Sequence, residues 1–276
     1  MTKMRDYYRP VVNQAGYILM FPNIGAADEL LQSYPPNPYA ESKYQLFPLG
    51  TKMTQGERVW RYCKNSSAAI TVVGNMLSSP ITVHADAEDD LVVAASTGEA
   101  YAIGSYDITL TSTENIDVAP WSTANGGKEG YVYINLGTGI GQMRKIKSHE
   151  ALVTTGTAKF TVYDPWNVAI VAGTSVAGII QNPYSNVVVS PALADNPVGC
   201  APIAVTASYY FWAQSGGPAA VTTHAAIAVG TMAVVGTTAG EIDPMASVTT
   251  EIIVGWPITP GVTDNDCAAI FLTLDR

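Results

Sequence analysis

The sequence has little charge for its length. Only 13% of its 276 residues are Asp, Glu, Lys or Arg, against about a quarter in an average soluble domain. The net charge is −9, so the chain has no basic surface for a nucleic-acid backbone or an anionic membrane. We therefore expect no direct binding to nucleic acid or membrane.

Cysteine and histidine are also scarce. The three cysteines are Cys63, Cys200 and Cys267. They lie far apart, lack a Cys-x-x-Cys pair and are odd in number, which argues against a disulfide framework. We expect each to be a small buried apolar residue. The three histidines stand in separate segments without metal-binding spacing: His84, His149 and His224.

Long apolar runs are missing. Nowhere do 18 apolar residues follow one another, as a membrane-spanning helix would need. The N-terminal stretch "MTKMRDYYRPVVNQAG" is basic but is not followed by an apolar run of signal-peptide length. The sequence thus predicts neither a membrane span nor a secretion signal.

Motifs for cofactor or metal binding are incomplete. The glycine-rich "LGTGIGQMRK" of residues 136–145 has Gln142 where a dinucleotide loop needs a third glycine, and it lacks a surrounding βαβ pattern. The acidic "DAEDD" of residues 86–90 has Leu91 and Thr97 where a calcium loop needs glycine and glutamate. We interpret the first as a turn and the second as a solvated acidic segment, and expect no cofactor and no metal.

No catalytic constellation can be named either. There is no Gly-x-Ser-x-Gly elbow, no cysteine lies in a recognisable nucleophile motif, and 23 acidic residues offer many carboxylate pairs without singling one out. A Ser/His/Asp triad assembled in space remains open on sequence order alone. We expect a non-enzymatic protein, because no residue can be given a catalytic role.

Short β-type segments dominate what is present. "RVWRYCK" at residues 58–64 alternates, with Val59, Arg61 and Cys63 on one face. About a dozen such segments follow, separated by clusters of Gly, Pro, Asn and Asp. They include "DLVVAA", "YDITLTS", "GYVYINLG", "KFTVYD", "VAIVAG", "AIAVG", "TMAVVG", "EIIVGWPI" and "AIFLTLD". The pattern predicts an all-β protein.

Composition divides the predicted fold into three parts. Residues 1–45 are rich in proline and tyrosine, which favours an extended arm, with one short helical candidate at residues 26–33. Residues 46–190 are predicted to form a β-sandwich or barrel, and residues 191–276 a small β-barrel or β-tulip, with a break at the proline-rich 191–202. The arm either binds another surface or packs on its own domain.

An aromatic run marks the start of the C-terminal part. In "SYYFWAQSGGPAAV", residues 208–221, alternation places Tyr209 and Phe211 on one face and Tyr210 and Trp212 on the other. A strand that is apolar on both faces is covered on both. We expect a barrel core on one face, a neighbouring subunit or the preceding domain on the other, and a turn at residues 216–218.

Several segments together resemble a known group. "FPLGTKMTQGERVWRYCKNSSAAITVVGNML", "GQMRKIKSH", "IIQNPYSNVVVSP", "GCAPIAVTASYYFWAQSGGPAAV" and "AIAVGTMAVVGTTAGEID" are similar, in this order, to tailed-bacteriophage virion structural proteins of the capsid decoration or cement type, also termed head auxiliary proteins. The resemblance runs from about residue 44 to the C-terminus. It rests on strands and turns, not on catalytic residues.

The resemblance implies a location and partners. It implies a homotrimer on the outer surface of the phage head that bridges major capsid protein subunits and stabilises the capsid. The residues expected to contact the capsid or another subunit are aromatic: Tyr7, Tyr8, Tyr17, Tyr34, Tyr39, Tyr210 and Trp212. The alternative is a tail or fibre module that stacks host glycans on exposed rings such as Trp121, Trp166 or Trp212.

Overall fold

The fold was obtained as a computed structural model. It describes the backbone of residues 10–12 and 18–20, and then residues 36–80, 90–94, 101–112, 119–153, 155–191, 196–247, 251–261 and 266–275. Within these ranges there are strands, turns and bends but no helix, so the all-β prediction is confirmed. The helical candidate at residues 26–33 lies outside the described residues.

In the described ranges, eighteen strands follow one another along the chain. The first nine are β1 (Pro10–Val12), β2 (Ile18–Met20), β3 (Lys52–Gln55), β4 (Arg58–Lys64), β5 (Met76–Ser78), β6 (Leu91–Val93), β7 (Asp107–Thr111), β8 (Tyr131–Leu136) and β9 (Met143–His149). The others are β10 (Thr157–Val162), β11 (Val176–Ile180), β12 (Val188–Val189), β13 (Pro197–Cys200), β14 (Tyr210–Thr223), β15 (Ala233–Val235), β16 (Ile242–Pro244), β17 (Ile253–Pro257) and β18 (Asp266–Thr273).

The chain forms two compact units that do not follow the predicted boundaries. One unit comprises residues 82–182, and the other combines residues 1–81 with 183–276. The division differs from the expected 46–190 and 191–276 because β5 pairs with β12 and β13 across the whole intervening segment. The proline-rich stretch at residues 191–202 contains β13 instead of separating two domains.

The inserted unit is a closed six-stranded antiparallel barrel. Its strand order is β10-β7-β6-β11-β8-β9, and β10 pairs with β9 to close the ring. Alternate side chains such as Ile108, Val132 and Phe160 point inward and are fully buried. Part of the predicted central β domain is thus a barrel.

The other unit holds a twelve-stranded sheet that contains a second ring. Strands β14, β16, β15, β17 and β18 follow one another, and pairing of β14 with β18 closes them into a five-stranded barrel. Val221, Ile242 and Ile270 lie in its core. The small C-terminal barrel is confirmed, although its first strand also belongs to the larger sheet.

The first half of β14 is covered on both faces by its own chain. Phe211 and Ala213 belong to one buried cluster, and Trp212 belongs to another with Phe47 and Tyr62. Ring centroids of Trp212 lie 5.0 Å from Tyr62 and 5.3 Å from Phe47. The predicted alternation is confirmed, and of the two covers expected for the face of Trp212 it is the preceding part of the chain, through Phe47 and Tyr62, that provides it.

The expected turn at residues 216–218 is wrong. β14 continues through Gly216, Gly217 and Pro218 to Thr223, and at this point its partner changes from β4 to β18. A Cβ atom on Gly217 would lie 2.3 Å from the backbone oxygen of Glu57, and its φ is +75°. Glycine is needed here for close approach of two backbones and for a left-handed conformation, not for a reversal of the chain.

Parts of the predicted arm belong to the main sheet. β1 pairs with β2, and β2 with β3, all antiparallel. Further on, the carboxylate of Glu41 accepts hydrogen bonds from the Thr206 N–H at 2.6 Å and the Thr206 hydroxyl at 2.8 Å. The described segments of the arm therefore pack on their own chain, as the second of the two sequence interpretations expected.

An ion pair fixes the C-terminal end of the chain. Arg61 Nε and Nη2 donate to the two carboxylate oxygens of Asp275 at 2.7 and 2.6 Å. Burial opposes ionisation of Asp275, but the hydrogen bonds and charge of Arg61 lower its pKa below the ordinary value. The bidentate pair joins the chain that follows β18 to β4.

Gly217→Ala should destabilise the protein strongly, by about 3 kcal/mol or more, because it combines a left-handed φ with a backbone clash. Denaturant unfolding of the full chain measures this loss. Gly56→Ala is the matched control, since Gly56 also has a positive φ of +58° but no atom within 4 Å of its Cβ position. That variant should lose only about 1 kcal/mol. Equal losses would show that close approach at Gly217 is not a constraint.

Candidate functional site

Three of the seven predicted contact residues lie in the part of the chain that the structure describes, and they differ in exposure. Tyr7, Tyr8, Tyr17 and Tyr34 lie outside the described residues. Tyr39 is exposed, and its hydroxyl accepts a hydrogen bond from Arg58 Nη1 at 2.9 Å. Tyr210 is half-buried and stacks on Tyr62, with centroids 6.0 Å apart. Trp212 is buried, so of this pair only Tyr210 has surface left for a partner.

The rings proposed for glycan stacking are buried as well. Trp121 and Trp166 are 0% exposed and Trp212 is 2% exposed. A buried indole cannot stack on a ligand, so these three residues do not provide a sugar platform. The exposed tryptophan is Trp256, at 45%, and the sequence analysis did not single it out.

A different surface lies at one end of the six-stranded barrel. Since all six strands are antiparallel to their neighbours, the connections β6–β7, β8–β9 and β10–β11 meet at the same end. Hydrogen bonds join the three connections: Gly104 N–H donates to Trp166 O at 2.9 Å, and Ser175 Oγ to Thr138 O at 2.9 Å. The chain enters before β6 and leaves after β11 at the opposite end.

Large apolar side chains are exposed at this end. Ile103 is 70% exposed and Ile140 is 64% exposed. The set, which we term the apolar loop end, is Ile103, Tyr106, Leu136, Ile140, Met143, Val168 and Val171. In the described parts of the three connections, no exposed residue carries a charge. Such concentrations of exposed apolar side chains mark interaction sites in soluble proteins.

Gln142 holds two of the loops together. Its Oε1 accepts hydrogen bonds from the N–H groups of Asn167 and Val168 at 2.8 and 3.1 Å. Its Nε2 donates to the carbonyl oxygens of Val168 and Gly139 at 3.1 and 3.3 Å. The residue that broke the nucleotide-loop motif therefore fixes the β8–β9 turn against the β10–β11 connection.

Arg144, near the start of β9, makes its contacts with the loops of this end. The Arg144 guanidinium lies over the Trp166 ring, with 5.5 Å between Cζ and the ring centroid. Its Nε donates to Pro165 O at 2.9 Å and its Nη1 to Met143 O at 2.8 Å. Arg144 thus stabilises the loop backbones at this end of the barrel.

The opposite end of the barrel holds a buried imidazole. His149 Nε2 accepts a hydrogen bond from Gly127 N–H at 2.8 Å, and Nδ1 lies 2.7 Å from Glu150 O. These partners require a neutral ring with its proton on Nδ1. The ring stacks on Phe160, with centroids 5.1 Å apart. Burial lowers the pKa of His149, which suits a structural role.

Two further groups of polar side chains lie close together, one in each unit. In the barrel, Lys145 Nζ lies 3.8 Å from a Glu129 carboxylate oxygen, both side chains are buried, and burial lowers the pKa of Lys145. In the other unit, Asp243 accepts hydrogen bonds from the Thr237 N–H at 2.9 Å and the Thr237 hydroxyl at 3.0 Å, and lies 3.1 Å from His224 Nδ1. Among the described residues, no three His, Cys, Asp or Glu side chains gather as a metal site would require.

The cysteines are only partly as expected. Cys63 and Cys200 are buried, and burial raises the pKa of both thiols. Cys267 is exposed on β18, so for this residue the prediction is wrong. It lies opposite Thr222 in the register, with its side chain on the outer face of the barrel.

That outer face is a second apolar surface. Trp256 and Phe271 are register partners whose rings stack with centroids 4.7 Å apart and an interplanar angle of 2°. The surface, which we term the outer barrel face, lies on β14, β17, β18 and the residue after β17: Pro218, Ala220, Trp256, Ile258, Ala269 and Phe271. None of these side chains can carry a charge.

Comparisons with known proteins do not assign the chain. No protein-family model, no curated protein and no solved structure matches it. The resemblance to phage virion proteins is therefore carried by the sequence segments alone. Across the described ranges, no helix has the length and apolar character needed to cross a bilayer.

Gln142→Ala should release the β10–β11 connection. The exposed Asn167 and Val168 N–H groups would exchange their acceptor for water, which costs about 0.5–1.5 kcal/mol of local stability. Hydrogen exchange at these two amides should become faster. Gln142→Glu retains the acceptor oxygen and should keep both amides protected, whereas fast exchange in both variants would contradict the role of Oε1.

Acid should weaken the six-stranded barrel through His149. The unfolded imidazole takes up a proton near pH 6.5, while burial lowers the folded pKa. The contribution of neutral His149 to the free energy of unfolding is therefore fully present above about pH 6.5. It decreases as the pH drops from there toward the lowered pKa of the folded state. His149→Phe should abolish this part of the pH dependence in unfolding titrations. His224→Gln, which changes a half-buried histidine of the other unit, should retain it.

Proposed function

We propose that this protein is a non-enzymatic structural component of a tailed-phage virion that decorates and stabilises the outside of the capsid by binding the major capsid protein. The observation that carries the proposal is the apolar loop end. It provides an attachment surface without a catalytic group. The sequence resemblance supplies the virion location and the expected homotrimer.

The apolar loop end is suited to attachment because it is fixed before binding. Gln142 and Arg144 bind the loop backbones from beneath, so Ile140 is presented without further ordering of the chain. Gly139 and Gly141, on either side of it, have φ values of +93° and +85°, which hold the turn in a shape that other residues rarely adopt. A surface ordered in advance loses less entropy when it binds.

Burial of this surface would supply useful binding free energy. Each large aliphatic side chain that becomes fully buried contributes about 1.5–3 kcal/mol. The charged residues beside the described loops, Arg144 and Asp164, are half-buried and none is exposed, so binding there removes little water from ions. The interaction should therefore change little with salt, in contrast to binding driven by ion pairs.

The proposal is tested on capsids that lack the protein. Purified wild-type protein should co-sediment with them and raise the temperature at which they open. Ile103→Ser together with Ile140→Ser should weaken co-sedimentation by about tenfold or more, since each change removes apolar area from the contact. Both proteins should give the same result in low and in high salt.

Val229→Ser is the matched control for this experiment. Val229 is 60% exposed, similar to Ile140, but lies in the other unit. This variant should bind like wild type. The proposal fails if wild-type protein does not bind capsids, or if the double loop variant binds and stabilises them as well as wild type does.

A further inference from the structure

The outer barrel face has the residue types that are common at the centre of protein–protein interfaces. Of the five tryptophans, Trp60, Trp121, Trp166 and Trp212 are buried and Trp256 is exposed. Exposed aromatic side chains in a flat apolar setting are the residues that contribute most to binding when a partner covers them. Parallel stacking on Phe271 restrains the indole, so covering it would cost little further side-chain entropy.

The same face places bulky side chains beside small ones. Trp256, Phe271 and Pro218 lie side by side across β17, β18 and β14, and the register partners Ala269 and Ala220 form the next row, beside Ile258. The small alanine side chains leave a shallow area, which we term the floor, next to the protruding Trp256 and Phe271 rings, which we term the step. The step of one copy can rest on the floor of the next, and repetition of such a head-to-tail contact around a three-fold axis closes a ring.

Charge also favours a second copy as the occupant. The chain carries a net charge of −9, so copies repel one another at most orientations. The six residues of the outer barrel face are Pro, Ala, Trp, Ile and Phe, and the neighbouring Cys267 is a thiol, so two copies can meet there without placing like charges in contact. An anionic or cationic partner would gain nothing from such a face.

We infer that the outer barrel face is the contact through which copies of this chain associate, with Trp256 of one copy packed on Ala220 and Ala269 of the next. The inference extends the proposed homotrimer by assigning its contact. It does not depend on a capsid, because it concerns the purified protein in solution. It uses none of the residues of the apolar loop end.

Association is measured on the full chain by light scattering over about a hundredfold range of concentration. Wild-type protein should form a defined oligomer, and Trp256→Ser should raise the dissociation constant by about tenfold or more. Ala220→Arg should do the same by placing a charge and bulk on the floor. Ala220 is exposed, so this change tests the contact without disturbing the core.

Two variants in the same unit serve as matched controls. Val229→Ser changes an exposed aliphatic side chain, and Ala228→Arg adds a charge at an exposed alanine; both positions lie in the connection after β14. Both variants should associate like wild type. Circular dichroism and unfolding midpoints close to wild type would show that all four variants are folded.

Tryptophan fluorescence locates the contact independently. Since Trp256 is the exposed indole, acrylamide should quench it in the monomer and quench it less as the oligomer forms. In Trp256→Ser this concentration-dependent component should be absent.

Several outcomes would overturn the inference. These are a wild-type protein that stays monomeric at every concentration, an oligomer unaffected by both Trp256→Ser and Ala220→Arg, and quenching that does not change on association. Trp256-dependent binding on a glycan array by a monomeric protein would assign the face to sugars instead. Loss of capsid binding in the loop variant with an intact oligomer would leave the inference standing and test the proposed function separately.

Discussion

The main-chain ladder along β14 holds the larger unit together. Over its first half this strand pairs with β4, and over its second half with β18, so one strand belongs to the main sheet and to the five-stranded barrel. Both faces of the first half are buried, Phe211 in one cluster and Trp212 in the other. A shift of one residue would exchange these side chains between differently shaped cores, which fixes the register. The barrel and the sheet are therefore set in place by the same hydrogen bonds, and Gly217 is the residue that lets both pairings share one strand.

The sequence pattern identified a strand correctly where the alternation of its side chains matched the surfaces that cover its two faces. The segment "RVWRYCK" coincides with β4, because alternating large side chains suit a strand that is covered on both faces. The segment "VAIVAG" was expected to be a strand, yet it lies in the β10–β11 connection with an isolated bridge at Ile170. The valines of this segment, Val168 and Val171, are exposed at the apolar loop end. Composition alone does not distinguish such an apolar loop from a strand of the core. Conversely, β9 contains Arg144, Lys145 and Lys147, whose charges conceal a strand in which Lys145 is buried.

Signals for domain boundaries and turns failed where distant pairing was decisive. Proline and small residues at 191–202 were interpreted as a break, but β13 lies there and pairs with β5, a strand more than a hundred residues earlier. Glycine and proline at 216–218 were interpreted as a turn, but the Glu57 backbone approaches there. In both cases proline and glycine correctly indicate an unusual backbone. Its cause is a strand or backbone segment that is distant in the sequence, and a local pattern cannot identify that segment. The exposure of Trp256 could not be predicted for the same reason, because it depends on which strands flank β17.

The two apolar surfaces are better explained by binding than by the low charge of the chain. A chain with few charged residues will show some uncharged patches by chance, and single exposed aliphatic residues need no explanation. At the apolar loop end, however, the exposed side chains come from three connections that are hydrogen-bonded to one another, so their grouping is built by the fold. The barrel that carries them is inserted through its opposite end, because β6 begins and β11 ends there. Loops at the free end can then be covered by a partner without disturbing the strands at which the chain enters and leaves. Retaining apolar loops in that position favours aggregation unless a partner covers them, and this makes a docking role the more economical explanation.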